Sequence, residues 1–216
     1  MTCGEANKRS LESLNQLKEL VGVFEKHDIS YWLDSGTLLG VIRDGCMLPS
    51  DPDIDIGVWW KPSENLRPLL QTLSKMGYSI STLRYKGEVS AYWLVPKEDP
   101  GGRVRPVDIK LYRPYGEFAW CPIVRSIDRF EANPWLFRLW RLMRGVVWRV
   151  WMYALPGVRP RSWPLKLFVE VSCWWLPSSC FRDIIRLDNG MCAPLEYEKY
   201  LQYRYGDWRT PVKDWH

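Results

Sequence analysis

The chain has 216 residues, a formal net charge of +5, 46% hydrophobic and 25% charged residues. These values fit one globular domain with a sizeable core and exclude a disordered or collagen-like chain. The six cysteines show neither a C-x-x-C pair nor zinc-like spacing, the first 30 residues carry no signal-peptide core, and no uncharged apolar run reaches 18 residues. Reduced thiols and a cytoplasmic chain without a transmembrane helix are therefore expected, with room for a peripheral site on the membrane's inner face.

Taken in order, Leu11, Leu14, Leu17, Leu20, Val21 and Phe24 recur at helical spacing behind Ser10, a good N-cap, and predict an amphipathic helix to about Lys26. His27 follows it and, as a lone histidine at a helix end, is given no role. Tyr31-Trp32-Leu33 predicts a short strand, Ser35-Gly36-Thr37 a tight turn, and Leu38 to Arg43 the start of a helix. Such a turn presents backbone N–H groups and two hydroxyls to an anion, so Ser35, Gly36 and Thr37 are candidate phosphate contacts, with Arg43 a further one.

Asp53-Ile54-Asp55-Ile56-Gly57-Val58 alternates carboxylate and apolar residues at the strand period. Asp53 and Asp55 then leave one face together while the isoleucines leave the other. Two like charges side by side call for a positive partner, and a hard divalent cation such as Mg²⁺ or Mn²⁺ takes oxygen ligands. A calcium loop of the EF-hand kind starting at Asp51 is excluded, because its sixth and twelfth positions are Ile56 and Pro62 instead of Gly and Glu. A solvated strand face stays open, since a bare D-x-D is a weak motif.

Leu66, Leu69, Leu70, Leu73 and Met76 predict a helix capped by Ser63 and stopped by Gly77. Tyr78 to Arg84 and Val89 to Val95 predict a hairpin turning at Lys86-Gly87-Glu88, and Val104 to Tyr112 another strand. In that strand Val107, Ile109 and Leu111 share one face, and Asp108 and Lys110 the other. An Asp inside an apolar strand is costly without a purpose, which makes Asp108 a candidate third carboxylate; an edge strand wetted on one face is the competing reading.

From Asn133-Pro134 the character changes. Residues 135–186 carry nine Lys or Arg against Glu170 and Asp183, and seven of the chain's fourteen tryptophans fall between Trp135 and Trp175. A basic amphipathic helix is expected to run from Trp135 to the Pro156-Gly157 stop, and a second from Trp163 to Leu176. Two readings stand for this insertion: a surface lying on an anionic membrane, or a helical segment packed on the sheet. The charge sits here and not near the carboxylates, so nucleic-acid binding is not expected. Pro194 then precedes a helix from Leu195 to Tyr205, closed by Gly206 as C-cap, with Trp208 a packing residue.

Gly36-Thr37-Leu38-Leu39-Gly40, Arg43, and Pro49-Ser50-Asp51-Pro52-Asp53-Ile54-Asp55-Ile56 resemble the LicD/fukutin-related family, in which a GTLLG turn precedes a P-W-D-x-D-h-D-h strand. Tyr200-Leu201, Tyr205-Gly206, Trp208 and Pro211 are similar to that family's tail. Ser50 stands where the family commonly has Trp, and Pro52 departs as well, which puts Asp51's role more in question than the alternating pair. The resemblance also places an Asp in a V-D-I-like strand at the distance of Asp108. It implies an α+β fold, a nucleotidyltransferase-like (polymerase-β-like) mixed sheet flanked by helices, here in a single domain with the Trp/Arg-rich helical insertion at 135–186.

The activity implied is transfer of a phosphorylated small alcohol, such as phosphocholine or ribitol phosphate, from a CDP-activated donor to a glycan or lipid-linked glycan. Asp53, Asp55 and Asp108 are then the metal-holding catalytic residues, with Lys110 a weaker phosphate contact than Arg43. Two other classes stay open: a nucleotidyltransferase that leaves the nucleoside monophosphate on its acceptor, and a non-catalytic membrane-associated scaffold. If residues 135–176 dock on an anionic bilayer, reversing Arg138, Arg141 and Arg149 to Glu abolishes co-sedimentation with anionic vesicles at low salt, each basic residue contributing about 1 kcal/mol there. Wild-type protein that stays in solution under those conditions rules the membrane surface out.

Overall fold

The computed structural model describes residues 3–61, 65–85, 88–99, 104–126 and 169–211. The chain divides into two compact units, one of residues 1–121 with 175–216 and one of residues 122–174. No helix among the described residues is long and apolar enough to cross a membrane.

The first unit is a curled mixed sheet with four α-helices among its described residues: α1 (Cys3–Lys26), α2 (Ser35–Arg43), α3 (Arg67–Lys75) and α4 (Tyr197–Tyr205). The strands are β1 (Trp32–Leu33), β2 (Ile54–Trp59), β3 (Tyr78–Tyr85), β4 (Glu88–Pro96) and β5 (Val107–Tyr115), with β6 (Phe118–Ser126) and β7 (Val169–Pro177) running on into the second unit. The sheet order is β1-β2-β5-β4-β3, and β6 pairs with β5 and with β7. Strands β2 and β5 are parallel, while β1–β2, β4–β5 and β3–β4 are antiparallel. A second small sheet joins β8 (Ile184–Arg186) to β9 (Cys192–Pro194), following a 3-10 turn at Ser178–Phe181.

Both faces of the central pair are buried, for different reasons. Ile54, Ile56 and Val58 of β2 stand in register with Val107, Ile109 and Leu111 of β5. They share one core with Leu17, Leu20 and Phe24 of α1 and Leu69 and Leu73 of α3. The alternate positions are Asp55, Gly57 and Trp59 on β2 and Asp108, Lys110 and Tyr112 on β5. Trp32, cross-strand from Gly57, lies so close that a Cβ on Gly57 would stand 2.3 Å from its indole. Only glycine admits the ring. Trp32 then meets Tyr112 at 5.4 Å, Trp59 at 5.5 Å and Phe181 at 5.0 Å between ring centroids, and Phe181 meets Tyr200 of α4 at 5.4 Å. Along this second face an aromatic core therefore adjoins a row of charged side chains.

Several elements differ from the sequence expectation. Helix α1 starts at Cys3, so Ser10, 1% exposed, lies inside it and does not cap it. The Ser35-Gly36-Thr37 stretch is the first turn of α2, capped by Asp34, whose side chain accepts from the Ser35 N–H. Helix α3 starts at Arg67 beside Pro68, and the expected cap Ser63 lies outside the described residues, as does the Lys86-Gly87 turn.

The expected helix from Trp163 to Leu176 is replaced over 169–177 by β7. The run Val169-Glu170-Val171-Ser172-Cys173-Trp174-Trp175 is rich in β-branched and aromatic residues, and a short apolar run of that kind carries no period that separates strand from helix. Residues 178–186 likewise form the 3-10 turn and β8, so the helical insertion does not extend to 186. The expected helix from Trp135 to Pro156 lies outside the described residues.

Candidate functional site

The parallel register sets Asp55 directly beside Asp108, at the spacing of neighbouring strands, about 4.8 Å between backbones. Asp53 stands half-buried just before β2, close enough for its charge to act on both Asp51 and Asp108. The three carboxylates expected to work together are thus in one place. Thr37 belongs to the frame of this place: it is fully buried, and its Oγ1 accepts the Asp55 N–H at 2.9 Å, fastening α2 to β2.

Lys110, 3% exposed, lies among these carboxylates. Its Nζ is 2.6 Å from Asp55 Oδ1, 3.0 Å from Ser35 Oγ and 3.6 Å from Asp34 Oδ2. Burial alone would lower the pKa of the ammonium, but Asp55, Asp34 and Asp108 outweigh it and raise the value. Removing one partner of such a buried pair typically costs 3–5 kcal/mol, because the other charge is left uncompensated.

Asp34 is the deepest of these groups, with no exposed surface. Its carboxylate accepts from the Ser35 N–H at 2.9 Å, from the Tyr112 hydroxyl at 2.7 Å and from the Tyr200 hydroxyl. Burial pushes its pKa up, but Lys110, Arg204 and the Tyr200 and Tyr112 hydroxyls prevail and hold it below the usual carboxylate range. Sequence reasoning assigned Asp34 no role. The available signal was its position, an Asp just ahead of a small residue and an apolar helical run, which is an N-cap signature.

The tail closes the site from behind. Tyr200 also accepts from the Ser35 N–H at 3.1 Å and from Arg204 Nη1 at 3.4 Å, which makes Tyr200-Leu201 and the 4% exposed Trp208 structural, as expected. Arg43 sits at the far end of α2, about 12 Å along the axis from Ser35. It binds Asp44 through Nε and Nη2, both at 2.8 Å, and reaches the Trp208 carbonyl at 3.5 Å. The structure does not bring Arg43 to the carboxylates.

Asp51 is nearer the site than its sequence context suggested. A Cβ on Gly36 would stand 2.4 Å from Asp51 Oδ2, so glycine is what lets this carboxylate lie against the first turn of α2. Arg105, 1% exposed, holds the segment: its Nε donates to Ser13 Oγ of α1 at 2.8 Å and its Nη1 donates to the Asp51 carbonyl. Burial, then the charges of Asp55 and Asp53, push the Asp51 carboxyl up to about 7. Asp108 is likewise pushed up to about 7, by burial first; Lys110 pulls it down, and Asp55, Asp53 and Asp34 push it up.

Asp108 Oδ1 and Asp51 Oδ2 are buried without a hydrogen-bond partner, an expensive state for a carboxylate that a cation would relieve. All the donors are hard oxygens, as Mg²⁺ requires. No group of three or more His, Cys, Asp or Glu among the described residues is arranged as a ready cage, and Lys110 holds the Asp55 oxygen. Mg²⁺ needs only one or two protein carboxylates when a substrate phosphate supplies further ligands. The donor set fits on those terms.

Helix α2 adds a complementary feature. The amides of Gly36 and Thr37 lie in its first turn, where no intrahelical acceptor exists and the helix dipole favours an anion. Carboxylates on adjacent strands beside a helix N-terminus form an arrangement able to hold a cation and a phosphate together.

Comparison with known proteins agrees. Residues 28–95 match the family model described as LicD/FKTN/FKRP, nucleotidyltransferase domain. "Uncharacterized protein RP689" of Rickettsia prowazekii is 33% identical over 76 residues, 35% of this chain and 29% of that protein. "Uncharacterized protein RT0683" of Rickettsia typhi is 32% identical over 75 residues, 35% and 24% of the two chains. Ribitol 5-phosphate transferase FKRP of Homo sapiens is 40% identical over 50 residues, 23% of this chain and 10% of that one. The matched segment thus spans less than a third of each of these relatives. Over residues 28–95 the chain is thus similar to the LicD/fukutin-related family.

The raised Asp108 carboxyl has a measurable consequence. Its pKa of about 7 in the folded chain exceeds the unfolded value of about 3.9, so the folded state binds the proton more tightly and Asp108 costs stability as pH rises from 4 to 8. In chelator, Asp108→Asn is expected to be more stable than wild type at pH 8, on the order of 2 kcal/mol by urea unfolding, with the gap closing at pH 4. Equal stability at pH 8 would show that the Asp108 carboxylate is not held in an unfavourable site.

Proposed function

We propose that the chain is a metal-dependent transferase, with a nucleotidyltransferase-like mixed sheet, that moves a phosphorylated small alcohol from a CDP-activated donor to a glycan hydroxyl. The observation that carries this reading is Asp55 beside Asp108 on parallel strands, with Asp53 adjacent and the first turn of α2 in reach. The name of the human relative, a ribitol 5-phosphate transferase, supports the substrate class.

In this mechanism Asp53, Asp55 and Asp108 would hold Mg²⁺ or Mn²⁺, whose charge neutralises the donor diphosphate and stabilises the departing CMP. The amides of Gly36 and Thr37 bind the phosphate oxygens. Ser35 keeps its place at this turn through Lys110 and Tyr200. Asp108 accepts the proton of the attacking hydroxyl as general base. The hydroxyl attacks in line with the leaving CMP, so its oxygen gains the phosphoryl bond as the bond to CMP breaks. Arg43 would act on the donor only by leaving Asp44. A glycan or lipid-linked glycan is the acceptor, and the Trp/Arg-rich segment 135–176 is the part of the chain suited to an anionic membrane carrying it.

The family model's own description favours a second reading, transfer of a nucleoside monophosphate with the same residues. Mass spectrometry of products from CDP-choline and CDP-ribitol with candidate glycans separates the two: the acceptor gains the phosphoalcohol and CMP is freed, or it gains CMP. Asp53→Asn, Asp55→Asn and Asp108→Asn are each expected to lose at least ~10²-fold in turnover, as for loss of a principal charge-stabilising group. Near-normal turnover in all three overturns the proposal.

A further inference from the structure

Among the groups just described, Lys110 has an unusual pair of anionic partners. Asp55, whose side chain is 10% exposed, faces the site, and Lys110 Nζ holds its Oδ1 at 2.6 Å. Asp34 is sealed, 0% exposed, and lies 3.6 Å from the same nitrogen. Ser35 Oγ, at 3.0 Å, provides a neutral third contact.

This placement resolves a conflict. The carboxylates that suit a divalent cation are not free to form a cage, because the Lys110 ammonium already holds an Asp55 oxygen. A buried ammonium left without a carboxylate would be prohibitively costly. Here it need not be left so, since Asp34 lies within a small displacement and its other contacts are hydrogen-bond donors that stay in place.

We infer that Lys110 is a resident counter-cation: it neutralises Asp55 before a divalent cation arrives, competes with that cation for Asp55, and passes to Asp34 when the cation takes over. Lys110 is thereby a positioning residue that sets the cation affinity of the site. No bond is made or broken in the exchange. The inference rests on the proposed metal dependence and adds to it a specific opponent of metal binding. It also gives Asp34 a purpose beyond capping α2, because without Asp34 the exchange would strand a charge.

Mn²⁺ binding to the whole chain without donor, followed by loss of the free-ion electron paramagnetic resonance signal, tests this with no reliance on activity. Lys110→Met is expected to lower the Mn²⁺ dissociation constant at least tenfold, since the competitor is gone. Asp34→Asn is expected to raise it several-fold, because Lys110 then has only Asp55 to hold. Arg186→Gln, which removes an exposed cation paired with Glu25, should leave it within about twofold.

Circular dichroism establishes which variants fold. If Lys110→Met does not, the opposite shift in Asp34→Asn decides alone. Mn²⁺ binding that is unchanged or weaker in Lys110→Met, or unchanged or tighter in Asp34→Asn, overturns the inference while leaving the metal site standing. Absence of binding in wild type and in folded Lys110→Met alike, with CDP-choline added as well as without it, overturns the metal-dependent reading together with it.

Discussion

A buried carboxylate at Asp34 is the constraint on which the other parts of this structure depend. An isolated charge with no exposed surface is untenable, so the fold must bring it partners from distant segments. It does so three times over. Strand β5 supplies Tyr112 and Lys110, α4 supplies Tyr200, and the first amide of α2 completes the set. Each contact has a second consequence. Tyr112 and Tyr200 place the aromatic cluster around Trp32 and Phe181, and Lys110 leads the network out to Asp55 and so to the acidic row. The capped helix α2 points its first turn at the same place, while Thr37 fixes it to the backbone of Asp55. Charge satisfaction in the core and preorganisation of the site are thus one set of interactions.

The two faces of the β2–β5 pair show how this is built from sequence. On one face the isoleucine, valine and leucine positions make an ordinary core with α1 and α3. On the other the chain places, from one end to the other, carboxylates, lysine, glycine and aromatic rings. Gly57 is the transition between them: the absence of a side chain lets Trp32 pack against the strand next to the charged row. The indole cluster helps to exclude water beside Lys110 and Asp34, and a dry environment strengthens the electrostatic contacts there.

Much of the site was legible because its signals are local. The alternation in Ile54 to Val58 and in Val107 to Tyr112 specifies which side chains share a face, and the register of β2 with β5 sets Asp55 beside Asp108. The tail's role in packing was legible too. That Asp55 and Asp108 would stand in direct register was not, because the pairing of strands more than fifty residues apart depends on the whole sheet. Asp34 is hard to read in the sequence for a related reason. Its capping signature is local, but its burial is caused by Tyr112 and Tyr200, which no spacing near Asp34 announces. Arg105 likewise gains its role from Ser13 and Gln16 of α1. Strand β7 reads as a helix in the sequence because aromatic residues serve both states, and its pairing with β6 decides between them.

If the acidic row and the α2 turn hold a cation and a diphosphate together, Mn²⁺ bound by the chain must lie within a few ångströms of the donor's phosphorus atoms. ³¹P relaxation of a CDP-alcohol in the presence of protein and substoichiometric Mn²⁺ measures that proximity directly. The expected result is strong broadening of both diphosphate resonances with wild-type protein, reduced to the protein-free level with Asp55→Asn. Identical relaxation with wild type, with Asp55→Asn and without protein would contradict a joint cation and diphosphate site.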